Sequence, residues 1–273
     1  MDQIPISPDE VVPLPAVAPG VVGLRILFVN VFAVGDRRDW TLIDGGLYGS
    51  AGRIRRWAEA QFGERPPAAI VLTHAHFDHV GALDALLEPW PVPVIVHQDE
   101  MPYVTGRRAY PPPDPSVGGG LMARMAALYP REPVDLGGRV EALPADGSIP
   151  TLPGWRWIPT PGHTAGHVSL FRDVDRTLLP GDAFCTTKQE SFLAVAIQKP
   201  ELHGPPSYFT TDWDAARESV ERLAALEPAF VGPGHGQPIS GAAVPGQLRD
   251  LAARFDELAR PAHGRYVEKP VRG

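Results

Sequence analysis

The chain contains a single cysteine, no strongly basic segment and no long uninterrupted apolar run. Because Cys185 cannot form an internal disulfide, nothing in the sequence requires an oxidising compartment. The formal net charge of −7 at pH 7, without a Lys/Arg-rich run to offset it, argues against a nucleic-acid-binding surface. The longest apolar stretch, residues 21–34, is interrupted by Arg25 and Asn30 and is shorter than the roughly 20 residues that a membrane-spanning helix needs.

The start of the chain also lacks the basic and apolar segments of a signal peptide, so we expect a cytoplasmic protein that does not act at a membrane. Its 273 residues, 44% hydrophobic and 21% charged, are typical of a soluble globular protein with a sizeable core. The sequence leaves the oligomeric state open.

Residues 73–79, Thr-His-Ala-His-Phe-Asp-His, contain three imidazoles and a carboxylate between an apolar run typical of a buried strand and a segment typical of a helix. Zinc and similar ions favour these ligands, so the composition indicates a metal site rather than a polar loop. In an extended backbone, His74, His76 and Asp78 project to one side and His79 turns away. The loop is therefore suited to two adjacent ions.

The pattern His74-x-His76-x-Asp78-His79 resembles the metal-binding signature of the metallo-β-lactamase superfamily. Four further segments resemble motifs of that family in the expected order: Leu42-Ile43-Asp44-Gly45-Gly46, Gly162-His163-Thr164, Leu179-Pro180-Gly181-Asp182 and Gly234-His235-Gly236. The resemblance implies an α/β fold, a four-layer αβ/βα sandwich in which two mixed β-sheets pack face to face with helices outside. We expect an extended lead-in at 1–20, one domain at 21–260 and a loose C-terminal tail at 261–273.

The resemblance also implies a ligand set and a cofactor. One ion is expected on His74, His76 and His163, and a second on Asp78, His79 and His235, with Asp182 bridging them. The implied cofactor is a pair of divalent ions, zinc first and iron or manganese as alternatives, that present a bridging hydroxide as nucleophile. Asp78 is a candidate for a second, catalytic role as proton shuttle.

Other side chains receive supporting roles. Asp44 and His167 are interpreted as residues that hold the ligands in place through hydrogen bonds. Candidate substrate contacts lie in the segment between Asp182 and the next helix: Lys188, His203, Tyr208 and Phe209. Cys185 has no identified base, so inert packing is favoured over a nucleophilic role.

Two segments near the expected site have open interpretations. The Pro- and Gly-rich segment 101–120 is either a wall or lid of the site or a plain surface connection. Residues 121–129 predict a helix with Leu121, Met122, Met125 and Leu128 on its buried face, a stripe that can also line an apolar pocket.

An aspartate at position 182 makes the chain more similar to glyoxalase II-like thioesterases, lactonases and phosphodiesterases than to true zinc β-lactamases. Residues 183–190 nevertheless depart from the glutathione-binding segment of glyoxalase II. We therefore expect a binuclear metal-dependent hydrolase that cleaves an ester, lactone or thioester of a small molecule. The alternatives are an iron-dependent, persulfide dioxygenase-like redox enzyme, a phosphodiesterase or β-lactamase-type hydrolase, and a non-catalytic metal-stabilised binding protein.

Overall fold

A computed structural model describes residues 12–271. Most of the predicted lead-in, residues 1–11, lies outside the described residues. The strands are β1 (Val12–Pro13), β2 (Val21–Ile26), β3 (Val29–Gly35), β4 (Trp40–Ile43), β5 (Ile70–Val71), β6 (Val94–Val96), β7 (Val140–Ala142), β8 (Trp155–Pro159), β9 (Val168–Arg172), β10 (Thr177–Gly181), β11 (Phe230–Pro233) and β12 (Ile239–Ser240). The α-helices are α1 (Ala51–Phe62), α2 (Phe77–Val80), α3 (Leu83–Leu87), α4 (Met101–Val104), α5 (Leu121–Met125), α6 (Phe192–Ile197), α7 (Trp213–Ala225), α8 (Val244–Ala253), α9 (Phe255–Leu258) and α10 (Arg265–Glu268).

The described strands form two mixed sheets. The first contains β1 to β7 in chain order, antiparallel from β1 to β4 and parallel from β4 to β7. The second has the order β12-β11-β10-β9-β8, and only β10 and β11 are parallel. Parallel neighbours need a crossover connection, and helices provide it here. The connection from β4 to β5 contains α1, the connection from β5 to β6 contains α2 and α3, and the connection from β10 to β11 contains α7.

Three buried apolar clusters lie between the sheets and the helices and hold them together. Between the sheets, Phe32, Ile43 and Val71 of the first sheet share one buried cluster with Leu170 and Leu179 of the second. The opposite face of the first sheet packs on α1 and α3, and the opposite face of the second packs on α7 and α8. The predicted four-layer αβ/βα sandwich is confirmed.

Local sequence accounts for the two longest helices. The buried face of α1 carries Ile54, Trp57 and Phe62 at helical spacing, and Gly63 adopts a positive φ of 83° just after the helix ends. The helix α7 begins after Asp212, whose side chain accepts hydrogen bonds from the backbone N–H groups of Asp214 and Ala215. No helix within residues 12–271 combines the length and apolar character that a membrane crossing requires.

The predicted buried stripe of the 121–129 helix is wrong at Leu121, Met125 and Leu128, and the fourth position, the side chain of Met122, lies outside the described part of the structure. Leu121 and Leu128 are 52% and 80% exposed, and Met125 is also exposed, whereas Ala123 and Ala126 are fully buried. The α-helix ends at Met125 and continues as a 3₁₀ turn, Ala126–Leu128, so the predicted spacing is not maintained. The small alanines face inward because they pack in one cluster with the bulky rings of Tyr208 and Phe209.

The C-terminal segment is not loose where the sequence predicted a loose tail. Arg265–Glu268 form the short helix α10, and Tyr266 is buried. The Tyr266 hydroxyl donates a hydrogen bond to the backbone carbonyl of Pro112, and the Arg265 N–H donates one to Asp114. These contacts attach the segment to the Pro-rich connection before α5.

Candidate metal centre

The histidine-rich turn changes conformation in its middle. His76 is extended, with φ −64° and ψ 152°, and it is the N-cap of α2, which contains Asp78 and His79. The N–H groups of His79 and Val80 both donate to the His76 carbonyl, at 2.8 and 3.1 Å. The extended geometry predicted for Asp78 is therefore wrong, because a helical turn carries both Asp78 and His79.

Three further side chains reach the turn from the second half of the chain. His163 lies in the connection from β8 to β9, Asp182 directly follows β10, and His235 follows β11. Because β10 and β11 are parallel neighbours, their carboxyl ends lie at the same edge of the second sheet and bring Asp182 close to His235.

The seven predicted ligands converge. All are buried, and their donor atoms form three overlapping groups in which every atom lies within 4.8 Å of the others; these groups are His74, His76 and His163; His74, His79 and Asp182; and Asp78, His79 and His235. Asp182 lies at the centre, with Oδ2 3.0 Å from Nε2 of His235 and 3.5 Å from Nε2 of His163. Its Oδ1 is 3.5 Å from Nε2 of His79.

The donor set fits divalent metal ions. Nε2 of His74, Nε2 of His79 and Oδ1 of Asp182 are buried without a hydrogen-bond partner, and a buried polar atom without a partner costs about 1–3 kcal/mol. Imidazole nitrogens and carboxylate oxygens at this density are the ligands of zinc and similar ions. These unpaired nitrogen and oxygen atoms are therefore available to coordinate metal ions.

Burial and charge act in opposite directions on the imidazoles. Burial lowers the pKa of His76 to about 3 and holds the pKa of His74 and His163 well below the ordinary value. Burial also acts to lower the pKa of His79, but the charges of Asp182, Asp44 and Asp78 raise it well above that value. We refer to His74, His76 and His163 as the three-histidine half; burial disfavours the protonated imidazole there, whereas the neighbouring carboxylates favour it at His79.

Asp44 and His167 each form a hydrogen bond with a predicted ligand residue. The Asp44 carboxylate accepts from the N–H and hydroxyl of Thr73 and lies 2.9 Å from Nδ1 of His79, which directs Nε2 of His79 inward. Nε2 of His167 accepts a hydrogen bond of 2.9 Å from the backbone N–H of Asp182. Each residue holds the backbone or ring of a predicted ligand.

Sequence reasoning missed two residues that support the His235 loop. The Asn30 side-chain amide donates to the carbonyls of Pro233 and Gly236, both at 2.8 Å. Nδ1 of His235 donates to the Phe28 carbonyl at 2.7 Å, which leaves Nε2 for the site. Asn30 within an apolar strand was a visible signal, since a buried amide needs partners. The role of Phe28 is carried by its backbone and leaves no mark in the sequence.

The four predicted substrate contacts separate into two pairs. The Phe209 ring lies 4.6 Å from the His76 ring, and Tyr208 packs against Phe209 at 5.0 Å between ring centroids. His203 forms backbone hydrogen bonds with Cys185, and Lys188 is half-buried just before α6.

Burial raises the pKa of the Cys185 thiol well above its ordinary value, which disfavours the reactive thiolate.

Aromatic side chains cover the site on one side. Phe28, Phe77 and Tyr129 are partly buried and pack against the cluster that contains Tyr208 and Phe209. The Phe28 ring is stacked near His235, with 6.0 Å between centroids, and Phe77 lies 5.2 Å from Tyr129. We refer to these five residues as the aromatic wall.

A glycine beside Asp182 provides a test of how tightly the carboxylate is held. A Cβ at Gly234 would lie 2.2 Å from Oδ1 of Asp182 and 3.1 Å from Cε1 of His79. We expect Gly234→Ala to displace the carboxylate and weaken zinc binding about 10- to 100-fold, as measured by chelator competition. Gly246→Ala is the matched control, because a Cβ there meets no atom within 4 Å. Equal zinc affinity in both variants would contradict the tight packing of this carboxylate.

This chain belongs to the metallo-beta-lactamase superfamily, because the family model of that description matches residues 24–235. It is 48% identical over 245 residues to a protein of Bacillus subtilis (strain 168) named Probable metallo-hydrolase YflN, and the match covers 88% of this chain and 93% of that relative. The family and this similarity identify a metallo-hydrolase in general terms.

Two solved structures are similar over most of the chain. ST1585 from Sulfolobus tokodaii, an archaeal metallo-beta-lactamase superfamily protein, has the same fold, with a TM-score of 0.56 and 21% identity over 90% of this chain and 85% of that one. TTHA1623, solved in a di-iron-bound form, gives a TM-score of 0.52 and 28% identity over 80% of this chain and 93% of that one.

Proposed function

We propose that this protein is a binuclear metal-dependent hydrolase that cleaves an ester, lactone or thioester of a small molecule. The observation that carries the proposal is the position of Asp182, whose carboxylate lies within 3.5 Å of His163, His79 and His235. A carboxylate in contact with both halves of a donor set is suited to two neighbouring cations, since its charge reduces their repulsion.

In this proposal, His74, His76 and His163 hold one ion, Asp78, His79 and His235 hold the other, and Asp182 serves both. Divalent ions held by these residues, zinc in the first instance, would supply Lewis acidity toward a substrate carbonyl and would make a water nucleophile available near pH 7. We assign Asp78 a further catalytic role, the transfer of a proton through its carboxylate. The aspartate at position 182 supports a relationship to glyoxalase II-like and lactonase-like members rather than to true β-lactamases.

The aromatic wall supports a substrate with an apolar group next to the scissile bond. Phe209 lies beside the His76 ring and Phe28 beside the His235 ring. The other three side chains of the aromatic wall pack on Phe209, and none of the five carries a cationic group. Aromatic surface favours apolar acyl or aryl groups. An anionic carrier such as glutathione, in contrast, would need cationic contacts that the aromatic wall does not offer.

Iron is the second candidate metal, and an iron-dependent redox enzyme is the second candidate function. TTHA1623 was solved in a di-iron-bound form, which supports iron as an occupant of this fold. The second group of predicted ligands is complete and consists of Asp78, His79 and His235. A complete second group favours two ions over the one-iron site of a persulfide dioxygenase-like enzyme. The buried thiol of Cys185 is compatible with a reducing, cytoplasmic setting.

Elemental analysis of the purified protein, combined with a substrate panel, tests this proposal. We expect two metal ions per chain and hydrolysis of esters, lactones or thioesters, with kcat/KM rising from acetyl to longer acyl or aryl substrates. Phosphodiesters, β-lactams and oxygen uptake with persulfides complete the panel. A folded protein that binds no metal under zinc, iron and manganese supplementation would exclude the function, and a single iron with oxygen uptake would favour the redox alternative.

A further inference from the structure

Glu100 is a fully buried carboxylate outside the predicted ligand set. It lies directly before α4, and its two oxygens accept four hydrogen bonds. Oε1 accepts from the Thr164 hydroxyl at 2.6 Å and from the Gly166 N–H at 3.0 Å. Oε2 accepts from the Ala75 N–H at 3.0 Å and from the Tyr110 hydroxyl. A carboxylate that uses all its acceptor sites in this way is held in one position.

Three of the four donors belong to segments that carry one half of the metal centre, and the fourth, Tyr110, lies in the Pro-rich connection before α5. Ala75 lies between His74 and His76, and Thr164 directly follows His163. Oε2 therefore contacts the loop that carries two histidines, and Oε1 contacts the loop that carries the third. One side chain connects two segments that are far apart in sequence.

Packing around Glu100 is close enough to transmit its position. A Cβ at Gly166 would lie 2.8 Å from Cγ and 2.9 Å from Oε1 of Glu100, so only glycine fits there. The Tyr110 ring packs on His76, with 4.4 Å between centroids, and stacks on Tyr103 at 3.9 Å. A shift of the Glu100 carboxylate would therefore move the His76 ring as well as the two loops.

Different groups support the other half of the centre. Asp44 contacts the His79 ring, and the Phe28 carbonyl accepts from His235. Asn30 holds the backbone on both sides of His235. The Glu100 contacts above involve none of these groups, so a defect at Glu100 should affect the halves unequally.

We propose that Glu100 is a positioning residue for the three-histidine half, and that it sets the affinity for that ion without contacting it. The inference rests on the proposed binuclear function. Loss of such a supporting contact typically costs 10- to 100-fold in metal affinity. A purely structural role would instead lower the melting temperature and leave the two affinities in their original ratio.

The test compares zinc affinities, by chelator competition and native mass spectrometry, in the wild-type chain and in Glu100→Gln. The variant should bind one zinc ion 10- to 100-fold more weakly and the other within about threefold of wild type. Thr164→Val removes a single hydrogen bond and should give a smaller change in the same direction. If Glu100→Gln does not fold, the zinc affinities of Thr164→Val test the positioning role in its place.

Asp114→Asn is the matched control, because Asp114 is a buried carboxylate that joins Ser116 to Arg265 rather than ligand loops. It should lower the melting temperature without changing either affinity. The weakened ion is identified with Co²⁺, whose absorption spectrum in Glu100→Gln should match that of His163→Ala and not that of His235→Ala.

Two results overturn the positioning role: unchanged affinities in Glu100→Gln and Thr164→Val, or an equal loss at both ions. A wild-type chain that binds fewer than two zinc ions overturns the binuclear function itself, so the two failures are distinguishable.

Discussion

Asp182→Asn is expected to lower kcat/KM by about 10³-fold or more. Asparagine keeps the size of the side chain but loses the charge that lies between the two halves of the donor set. The Asp182 oxygens are 3.0 Å from Nε2 of His235 and 3.5 Å from Nε2 of both His163 and His79. Loss of this one charge should therefore weaken the binding of both ions. Metal content and steady-state kinetics on the best substrate measure this effect.

Comparison with Asp78→Asn makes this expectation specific. Oδ2 of Asp78 lies 3.5 Å from Nε2 of His235 and 4.0 Å from Nε2 of His79, which both belong to the same half. Its amide variant should therefore lose the affinity for one ion and retain the other. Asp114→Asn again serves as the control for converting a buried carboxylate to an amide. If Asp182→Asn retains both ions and more than a tenth of the wild-type kcat/KM, Asp182 does not serve both halves.

Removal of metal by a chelator should abolish turnover and lower the melting temperature by about 10 °C or more. An ion that binds only the folded chain contributes about 4 kcal/mol at a thousandfold excess over its Kd. In a chain of this size, 1 kcal/mol corresponds to roughly 2–4 °C. The unpaired atoms of His74, His79 and Asp182 remain buried after the ions leave, and their cost is one reason why ion binding is expected to be tight.

Calorimetry with and without chelator measures this effect, and readdition of zinc should restore both the melting temperature and the activity. His235→Ala is the control, since a chain with one weakened half should show a smaller shift. An unchanged melting temperature in a protein shown to have lost its metal would mean that the donor set does not couple metal binding to stability.

The donor set was predictable because it consists of residue types in short, ordered motifs. His74, His76 and Asp78 are recognisable from spacing within a few residues, whereas Asp182 was identified because its segment resembles the aspartate motif of the family. The four layers followed from the family resemblance, since the apolar periodicity alone predicted only a mixture of helices and strands. Chemistry carried by contiguous residues is thus visible in the order of the amino acids alone.

Contacts between distant segments could not be predicted in the same way. Glu100 follows Asp99 and looks like a solvent-exposed acid, because its four donors come from other parts of the chain. Leu121 and Leu128 seemed to define an inward face, but the neighbouring aromatic cluster has room only for small side chains there. In both cases the neighbouring surface, not the local pattern, determines which side chain is buried.

The division of donors between the two halves of the chain has a consequence for biosynthesis. The ribosome releases His74, His76, Asp78 and His79 well before His163, Asp182 and His235. A nascent chain therefore presents an incomplete chelating turn, and full loading waits until the second sheet has docked on the first. A polypeptide that ends before β11 would lack His235, so under the proposed function full metal occupancy would require synthesis past residue 235 and docking of the two sheets.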